Sequence, residues 1–273
     1  MGPVSFVSKC LDGTGRVLRI LRLHLARMRA ASQTDRPNTA EEWAALYDST
    51  TRPIRVLASE VARTVADLTS AGDVLLEAGC GSGVLSAELA IAGRVIELAD
   101  FSQEILDRAA RLFELSGLPR PKTTLADLTK PLPWTDNAVD TVWSSGVLEH
   151  WTDDELRPII AEMARISRKS VISLVPNSRS IWYRFGKHLA EQAGLWAYGR
   201  ELPRDSQRKL FAEAGLVNIR EFTVWLEPVT DFVRTTDPHF AALARRWWNS
   251  LPPDDPAKLD QGYLLVTIGS KRA

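Results

Sequence analysis

Beyond residue 72 the chain alternates between short apolar runs and longer segments in which apolar residues recur every three or four positions. The short runs are typical of buried strands, and the periodic segments are typical of helices that bury one face. Because strands that alternate with helices form a parallel sheet covered on both sides, the pattern predicts an α/β fold. The predicted strands are 74–77, 94–99, 122–126, 139–144, 170–175, 216–225 and 263–268, and the predicted helices are 82–92, 103–115, 153–167 and 206–214.

Upstream of the sheet, residues 17–28 form a basic amphipathic pattern, with arginines on the helical face opposite the apolar one. The apolar positions are Val17, Leu18, Leu21, Leu25 and Met28. Such a helix packs on the protein core, contacts a second subunit in a homodimer or lies on a membrane surface, so residues 9–29 are a candidate partner segment. A polar stretch at 33–38 separates it from two further predicted helices, at 41–47 and 55–68.

Two stretches interrupt the strand and helix alternation in the second half of the chain. The first follows Pro176 and is rich in aromatic and basic residues, and the second is rich in proline and contains Trp247 and Trp248. Both have the character of insertions between core elements. The predicted segments are a basic amphipathic segment at 1–35, N-terminal helices at 36–70, a central core at 71–177, a helical lid insertion at 178–202, and a C-terminal part of the sheet at 203–273 with a second insertion at 227–258.

Composition narrows the range of partners. Lysine and arginine total 34 and so do aspartate and glutamate, so no global basic field attracts nucleic acid. The two cysteines, Cys10 and Cys80, are too few for a disulfide framework, which favours a reducing cytoplasm. Apolar stretches all fall short of the ~20 residues that a membrane-spanning helix needs, so we expect a cytoplasmic protein that is at most peripheral to a membrane.

The most specific motif follows the first predicted strand, where Gly79, Gly81 and Gly83 alternate with other residues after Glu77. Glycine lets the backbone approach a ligand closely, and the N-terminus of the next helix favours an anionic group. A dinucleotide-binding loop has the different spacing G-x-G-x-x-G. The acid followed by Gly-x-Gly-x-Gly resembles the first motif of the class I S-adenosylmethionine-dependent methyltransferases, in particular their small-molecule, type 11-like branch.

The resemblance continues at the ends of the next strands and through residues 132–150, which are similar to the fourth-strand motif of that family. It implies that Asp100 accepts hydrogen bonds from the two ribose hydroxyls and that Asp127 contacts the adenine amino group. It also implies a Rossmann-like, seven-stranded mixed sheet, parallel except for an antiparallel last strand. The implied S-adenosyl-L-methionine contacts are Glu77, Gly79, Cys80, Gly81, Gly83, Asp100, Phe101, Ala126, Asp127, Leu128, Ser145 and Gly146.

Methyl transfer from a sulfonium donor needs few catalytic groups, because the methyl is already activated and the enzyme's main task is to align it with the acceptor. His150 is the candidate general base, since imidazole titrates near the working pH. It also fits a loop position outside the pocket. The pair Glu149-His150 is similar to one in quinone-precursor O-methyltransferases, whose metal site needs a further acid where this chain has Gly146. We therefore predict no metal.

The acceptor is expected to contact the first insertion, because its aromatic and cationic side chains suit a sizeable small molecule. The candidate acceptor-binding residues are Trp182, Tyr183, Arg184, Trp196 and Tyr198. The resulting hypothesis is a methyltransferase acting on a small molecule, such as a hydroxyl of a natural product, lipid precursor or glycan. A non-catalytic, methyltransferase-like partner subunit and an NAD(P)-dependent oxidoreductase are the alternatives.

Overall fold

The structure is a computed structural model, and it describes residues 39–46, 52–194, 196, 198–224 and 237–272. The predicted helix at 17–28 and the partner segment at 9–29 lie outside these residues. The helices are α1 (Ala40–Leu46), α2 (Glu60–Asp67), α3 (Val84–Ile91), α4 (Gln103–Ser116), α5 (Asp153–Ile166), α6 (Ile181–Gln192), α7 (Arg208–Glu213), α8 (Pro238–Ser250) and α9 (Pro256–Asp260), with a 3₁₀ turn at Leu148–His150. The strands are β1 (Val74–Ala78), β2 (Val95–Asp100), β3 (Lys122–Leu125), β4 (Val139–Ser145), β5 (Ser167–Pro176), β6 (Val217–Val224) and β7 (Leu264–Ser270).

The strands form one seven-stranded sheet in the order β3-β2-β1-β4-β5-β7-β6. The pairs among β1 to β5 are all parallel, whereas β7 runs antiparallel to both β5 and β6. The predicted fold class, a mixed sheet with an antiparallel last strand, is confirmed. Because the strand order reverses next to β1, the carboxyl ends of β1 and β4 open a crevice of the kind in which open α/β sheets bind ligands.

Each face of the sheet buries its own apolar core. Successive strand residues point to opposite faces, so Trp143 packs with α2, α3 and α4 while its neighbour Val142 packs with α5 and α7. Both side chains are fully buried. Helices on both sides therefore hold the central strands rigidly, which fixes the positions of the turns at their carboxyl ends. Within the described residues, none of the helices is long and apolar enough to cross a membrane.

The prediction of a helix from residue 55 was wrong, because α2 begins only at Glu60. Ser59 caps the helix, and its hydroxyl accepts a hydrogen bond from the Val61 N–H at 3.2 Å. The backbone N–H groups of Ala58 and Ser59 donate to a carboxylate oxygen of Glu88 at 3.0 and 2.7 Å, which holds this stretch extended against α3. The second insertion also contains helices that the sequence pattern did not predict, α8 and α9.

Candidate functional site

A cavity of about 250 Å³ opens at the carboxyl ends of β1, β2, β3 and β4, and α1 contributes one side of it. It is the place that the strand order favours for a ligand. Its wall combines apolar and aromatic side chains with two carboxylates, one hydroxyl and one imidazole. The lining residues are Trp43, Gly79, Asp100, Phe101, Ile105, Ala126, Asp127, Leu128, Thr129, Gly146, Val147, His150 and Trp151.

The glycine loop that follows β1 forms the floor of the cavity. Gly79 has a φ of +77°, and a Cβ added to it would lie 2.7 Å from the Cγ2 atom of Val147. Gly83 has a φ of +70°, and a Cβ there would lie 2.7 Å from the Cβ of Ala109 in α4. Both positions therefore strongly favour glycine, because any other residue would be strained in this backbone conformation and would contact its neighbours too closely. The loop brings the start of α3 against the cavity floor.

Asp100, the last residue of β2, connects the glycine loop to the next helix. One carboxylate oxygen accepts a hydrogen bond from the Gly81 N–H at 3.3 Å, and the other accepts one from the Ser102 N–H at 3.0 Å. Burial raises the pKa of Asp100, although these N–H donors act in the opposite direction. Each carboxylate oxygen has two lone pairs, so both can accept a further hydrogen bond from a ligand in the cavity. A vicinal diol matches this pair of acceptors.

Glu77 and Cys80 lie behind the cavity wall rather than on it. Burial raises the pKa of Glu77 to about 8, although the Ser86 hydroxyl donates to its carboxyl group at 2.5 Å. Burial and the nearby acids also raise the pKa of Cys80, which keeps this side chain a neutral thiol. At neutral pH, Glu77 is therefore mainly protonated, and its hydrogen bond with Ser86 links β1 to α3 within the core.

The high pKa of Glu77 leads to a prediction about stability. The folded state keeps the proton between about pH 4.5 and pH 8, whereas the unfolded chain releases it above its ordinary pKa of 4.5. The stabilising contribution is therefore complete below pH 4.5 and is lost as the pH rises towards 8. Relative to Glu77→Gln, the wild type should lose about 1.4 kcal/mol of unfolding free energy per pH unit in this window. Urea unfolding of both proteins from pH 5 to 8 measures the difference, and parallel curves would contradict the assignment.

The turn after β3 contributes Asp127 to the cavity rim. The Asp127 carboxylate accepts hydrogen bonds from the backbone N–H of Thr129 at 2.9 Å and from its hydroxyl at 2.7 Å. This is an Asx-type turn, so the side chain has a local structural role as well as a place on the cavity wall. Ala126 and Leu128 on either side also line the cavity.

His150 ends the 3₁₀ turn after β4 and lines the cavity. Its Nδ1 atom lies 2.9 Å from the backbone carbonyl oxygen of Arg200. A carbonyl oxygen only accepts hydrogen bonds, so Nδ1 must carry the proton, and the lone pair of the neutral ring is then on Nε2. The ring of Trp43 packs edge-on against the imidazole at a centroid distance of 5.0 Å. These two contacts fix both the position and the tautomer of the histidine.

The segment that supplies the Arg200 carbonyl is itself held in place by buried groups. The Glu201 carboxylate accepts hydrogen bonds from the Tyr183 hydroxyl at 2.5 Å and from the Lys187 ammonium at 3.1 Å. The Leu202 N–H donates to the backbone oxygen of Glu149 at 2.7 Å. The insertion after β5 therefore contacts the cavity wall through the Arg200 backbone, which touches His150.

Glu149 lies next to this segment and is 2% exposed. Burial raises the pKa of its carboxyl group, and the nearby Glu201 raises it further. Among the described residues, its Oε2 atom has no hydrogen-bond partner. Its other oxygen lies 3.7 Å from where a Cβ on Gly146 would be, and Gly146 itself lines the cavity. The Glu149 carboxyl therefore lies close behind this part of the cavity wall.

The helix α1 covers the cavity from the N-terminal side. Ala44 is buried, and its backbone oxygen accepts a hydrogen bond from the Arg108 guanidinium of α4 at 2.9 Å. This anchor places Trp43 over the cavity beside His150. The helix thus excludes water from one side of the site.

The structure brings only some of the predicted site residues to the cavity surface. The predicted residues that line it are Gly79, Asp100, Phe101, Ala126, Asp127, Leu128, Gly146 and His150, and the lining residues outside the prediction include Trp43, Ile105, Thr129 and Trp151. The predicted acceptor-binding side chains lie elsewhere. Tyr183 is fully buried and packs on Tyr263 at 5.2 Å, and Trp196 stacks under the Lys187 ammonium at 4.5 Å. These aromatic residues anchor the insertion beside the cavity.

Comparison with known proteins agrees with this geometry. A family model described as a methyltransferase domain matches residues 75–170, the part of the chain that holds the glycine loop, Asp100 and His150. The sheet order places these three features around one crevice. Residues 75–170 therefore form a methyltransferase domain. They end in β5, so α6 to β7 lie outside the family model.

Two curated methyltransferases resemble the chain at low identity. An uncharacterized methyltransferase of Schizosaccharomyces pombe is 28% identical over 200 residues, which cover 65% of this chain and 74% of the yeast protein. The chloroplastic magnesium protoporphyrin IX methyltransferase of Arabidopsis thaliana is 30% identical over 166 residues, which cover 55% of this chain. This chain spans 51% of the plant protein, about half of its length.

A solved structure shows the same fold over most of the chain. The magnesium protoporphyrin IX methyltransferase from Synechocystis PCC 6803 with bound SAH superposes with a TM-score of 0.51 at 21% identity. The match covers 91% of this chain and 94% of that one. It therefore includes the region of α6 to β7, which the family model leaves out.

Proposed function

We propose that this protein transfers a methyl group from S-adenosylmethionine to an apolar or aromatic small molecule, with His150 as general base. The observation that carries the proposal is a single cavity that joins the glycine loop, the Asp100 carboxylate and an imidazole held with its proton on Nδ1. The first two suit an adenosyl cofactor, and the third suits an acceptor that must lose a proton.

The residues present fit the cofactor. Asp100 offers two carboxylate oxygens to a ribose diol, and the Gly79 turn with the start of α3 suits the carboxylate of the methionine part. Ala126 to Leu128 and Phe101 form the side of the cavity that suits a flat adenine ring. When bound, S-adenosylmethionine supplies an electrophilic methyl group, so this chain must align the acceptor and exclude water.

The acceptor side of the cavity is apolar. Trp43, Val147 and Trp151 surround His150, and they leave the imidazole as the polar group next to the acceptor. Such walls favour a molecule with an aromatic or aliphatic body and one hydroxyl group. In the neutral ring the Nε2 lone pair can accept the hydroxyl proton as the oxygen attacks the methyl carbon.

A labelling screen tests this proposal. The protein is incubated with S-adenosylmethionine carrying a radiolabelled methyl group and with fractionated metabolite extract of its host. We expect label in an organic-extractable product, and that product identifies the acceptor. Saturable cofactor binding without label transfer in any fraction would instead support a non-catalytic, methyltransferase-like subunit.

Asp100→Ala tests the cofactor half of the proposal by itself. Loss of the two acceptor oxygens should weaken S-adenosylmethionine binding by about 1–3 kcal/mol, or roughly tenfold to a hundredfold in Kd. Isothermal titration calorimetry measures this change. Because Asp100 also holds the Gly81 and Ser102 N–H groups, thermal unfolding of the variant must be recorded in parallel. An unchanged Kd would refute the role of Asp100.

A further inference from the structure

The helices α6 and α8 together present an apolar face to solvent. On α6, Ile181 is 64% exposed and Phe185 is 41% exposed, and on α8 Leu243 is 44% and Trp247 is 39% exposed. Ring contacts join the helices: Phe185 packs on Phe240 at 5.1 Å, and Trp182 packs on Trp247 at 5.3 Å and on Phe240 at 5.8 Å. These residues form one continuous surface, which we call the aromatic face: Ile181, Trp182, Phe185, Phe240, Leu243 and Trp247.

The inner faces of both helices are already occupied. The buried positions are Ala241 and Ala244 in α8 and Tyr183, Gly186 and Ala190 in α6, and Trp248 packs against Tyr183. The aromatic face is therefore additional apolar surface that the inner packing of the two helices does not cover. Contiguous apolar surface of this kind marks a site of interaction.

The charged residues of α6 and α8 are mostly positive. From Pro238 to Ser250, α8 contains no acidic residue and exposes Arg245 and Arg246, and the preceding Asp237 caps the helix by accepting a hydrogen bond from the Phe240 N–H at 2.9 Å. Arg184 is exposed on α6, whose one acidic residue, Glu191, pairs with Lys187 at 3.8 Å. Since the whole chain has a formal net charge of zero, this basic character is local. Arginine beside tryptophan and phenylalanine is typical of surfaces that insert into the headgroup region of an anionic bilayer.

The aromatic face lies at the same end of the sheet as the cavity. The helix α6 follows the carboxyl end of β5, where Pro176 pairs with Leu264 of β7. Tyr183 of α6 packs on Tyr263 at that end, at 5.2 Å. The cavity opens at the carboxyl ends of the neighbouring strands. A planar partner that covers the aromatic face would therefore lie close to the cavity as well.

We propose that the aromatic face docks this protein on the surface of an anionic lipid bilayer. The apolar side chains enter the acyl boundary, and the arginines of α6 and α8 contact lipid phosphates. This binding site is separate from the cofactor cavity and does not depend on catalysis. Docking on the bilayer would allow the cavity to receive an acceptor that is dissolved in the membrane. Such an acceptor agrees with the apolar walls around His150.

Vesicle sedimentation of the full chain tests the docking. Wild type should bind phosphatidylglycerol-containing vesicles at least about tenfold more tightly than pure phosphatidylcholine vesicles, and high salt should reduce the difference. Leu243→Ser/Trp247→Ser should weaken binding to the anionic vesicles at least about tenfold. The matched control is Leu115→Ser, which removes a leucine that is 40% exposed on α4 and should leave binding unchanged.

Three results would overturn the docking proposal. The first is a wild type that anionic vesicles do not retain. The second is a double variant that binds as wild type does, which would place lipid contact elsewhere in the chain. The third is a wild type that sediments as a dimer without lipid while the double variant sediments as a monomer, which would mean that a second copy covers this face. If the double variant fails to fold, Arg245→Glu/Arg246→Glu replaces it, with the same tenfold loss expected. Titration with S-adenosylmethionine keeps this test separate from the proposed function.

Discussion

Replacing Gly79 with alanine should abolish detectable S-adenosylmethionine binding and lower the free energy of unfolding by about 2–5 kcal/mol. The backbone at Gly79 is left-handed, with a φ of +77°, which costs a residue with a Cβ about 1–2 kcal/mol. The new Cβ would also lie 2.7 Å from Val147 Cγ2, and such overpacking costs about 1–3 kcal/mol more. Because both residues line the cavity, relief of the clash must deform the cofactor site. Calorimetric titration and urea unfolding measure the two effects.

Two variants separate the causes of the Gly79 effect. Gly72 also has a left-handed backbone, with a φ of +87°, but nothing lies within 4 Å of a Cβ added to it. Gly72→Ala should therefore lose only the unfolding free energy that the left-handed conformation costs, and it should bind the cofactor as wild type does. The double variant Gly79→Ala/Val147→Ala removes the clash, so it should recover the part of the unfolding free energy that the clash costs. The part that the left-handed backbone costs should stay lost. If Gly79→Ala binds the cofactor as wild type does, the loop does not form the floor of the cofactor site.

Replacing His150 with alanine should lower kcat with the acceptor found in the labelling screen by about 10²- to 10⁴-fold, the usual contribution of a positioned general base. The Kd for S-adenosylmethionine should stay the same, because the proposal places His150 on the acceptor side of the cavity. Single-turnover transfer of the labelled methyl group measures the chemical step, and calorimetry measures the binding.

His150→Gln distinguishes proton transfer from simple positioning. The glutamine amide can still donate to the Arg200 carbonyl, but it cannot take a proton at neutral pH. We expect this variant to be as slow as His150→Ala. A glutamine variant with near wild-type kcat would show that His150 acts only as a structural link to the lid insertion, and the general base would have to be sought elsewhere.

The sequence pattern predicted the parts of the site that depend on neighbouring residues in the chain. Each predicted strand ends in its own motif, so the sequence alone placed Gly79, Asp100 and Asp127 at one edge of a sheet. The sheet then brings them together, because parallel strands align their carboxyl ends. The prediction of one mixed sheet with a reversed β7 followed from the family resemblance rather than from periodicity, and the strand order was not predicted.

Long-range contacts could not be predicted in this way. The tautomer of His150 depends on the carbonyl of Arg200, and that segment is held by a buried carboxylate that contacts Tyr183 of α6. Aromatic residues of the insertion were predicted to contact the acceptor, yet Tyr183 is fully buried and packs on Tyr263. Composition alone does not distinguish an aromatic residue that lines a pocket from one that packs behind it, since both are apolar and partly enclosed.

Calorimetric titration of the wild-type chain with S-adenosylmethionine, and separately with NAD, shows which of the two the cavity binds. We expect saturable, single-site binding of S-adenosylmethionine that Asp100→Ala weakens and Gly79→Ala abolishes, with no heat of binding from NAD. Absence of S-adenosylmethionine binding to the folded wild type, or saturable binding of NAD in its place, would contradict this expectation.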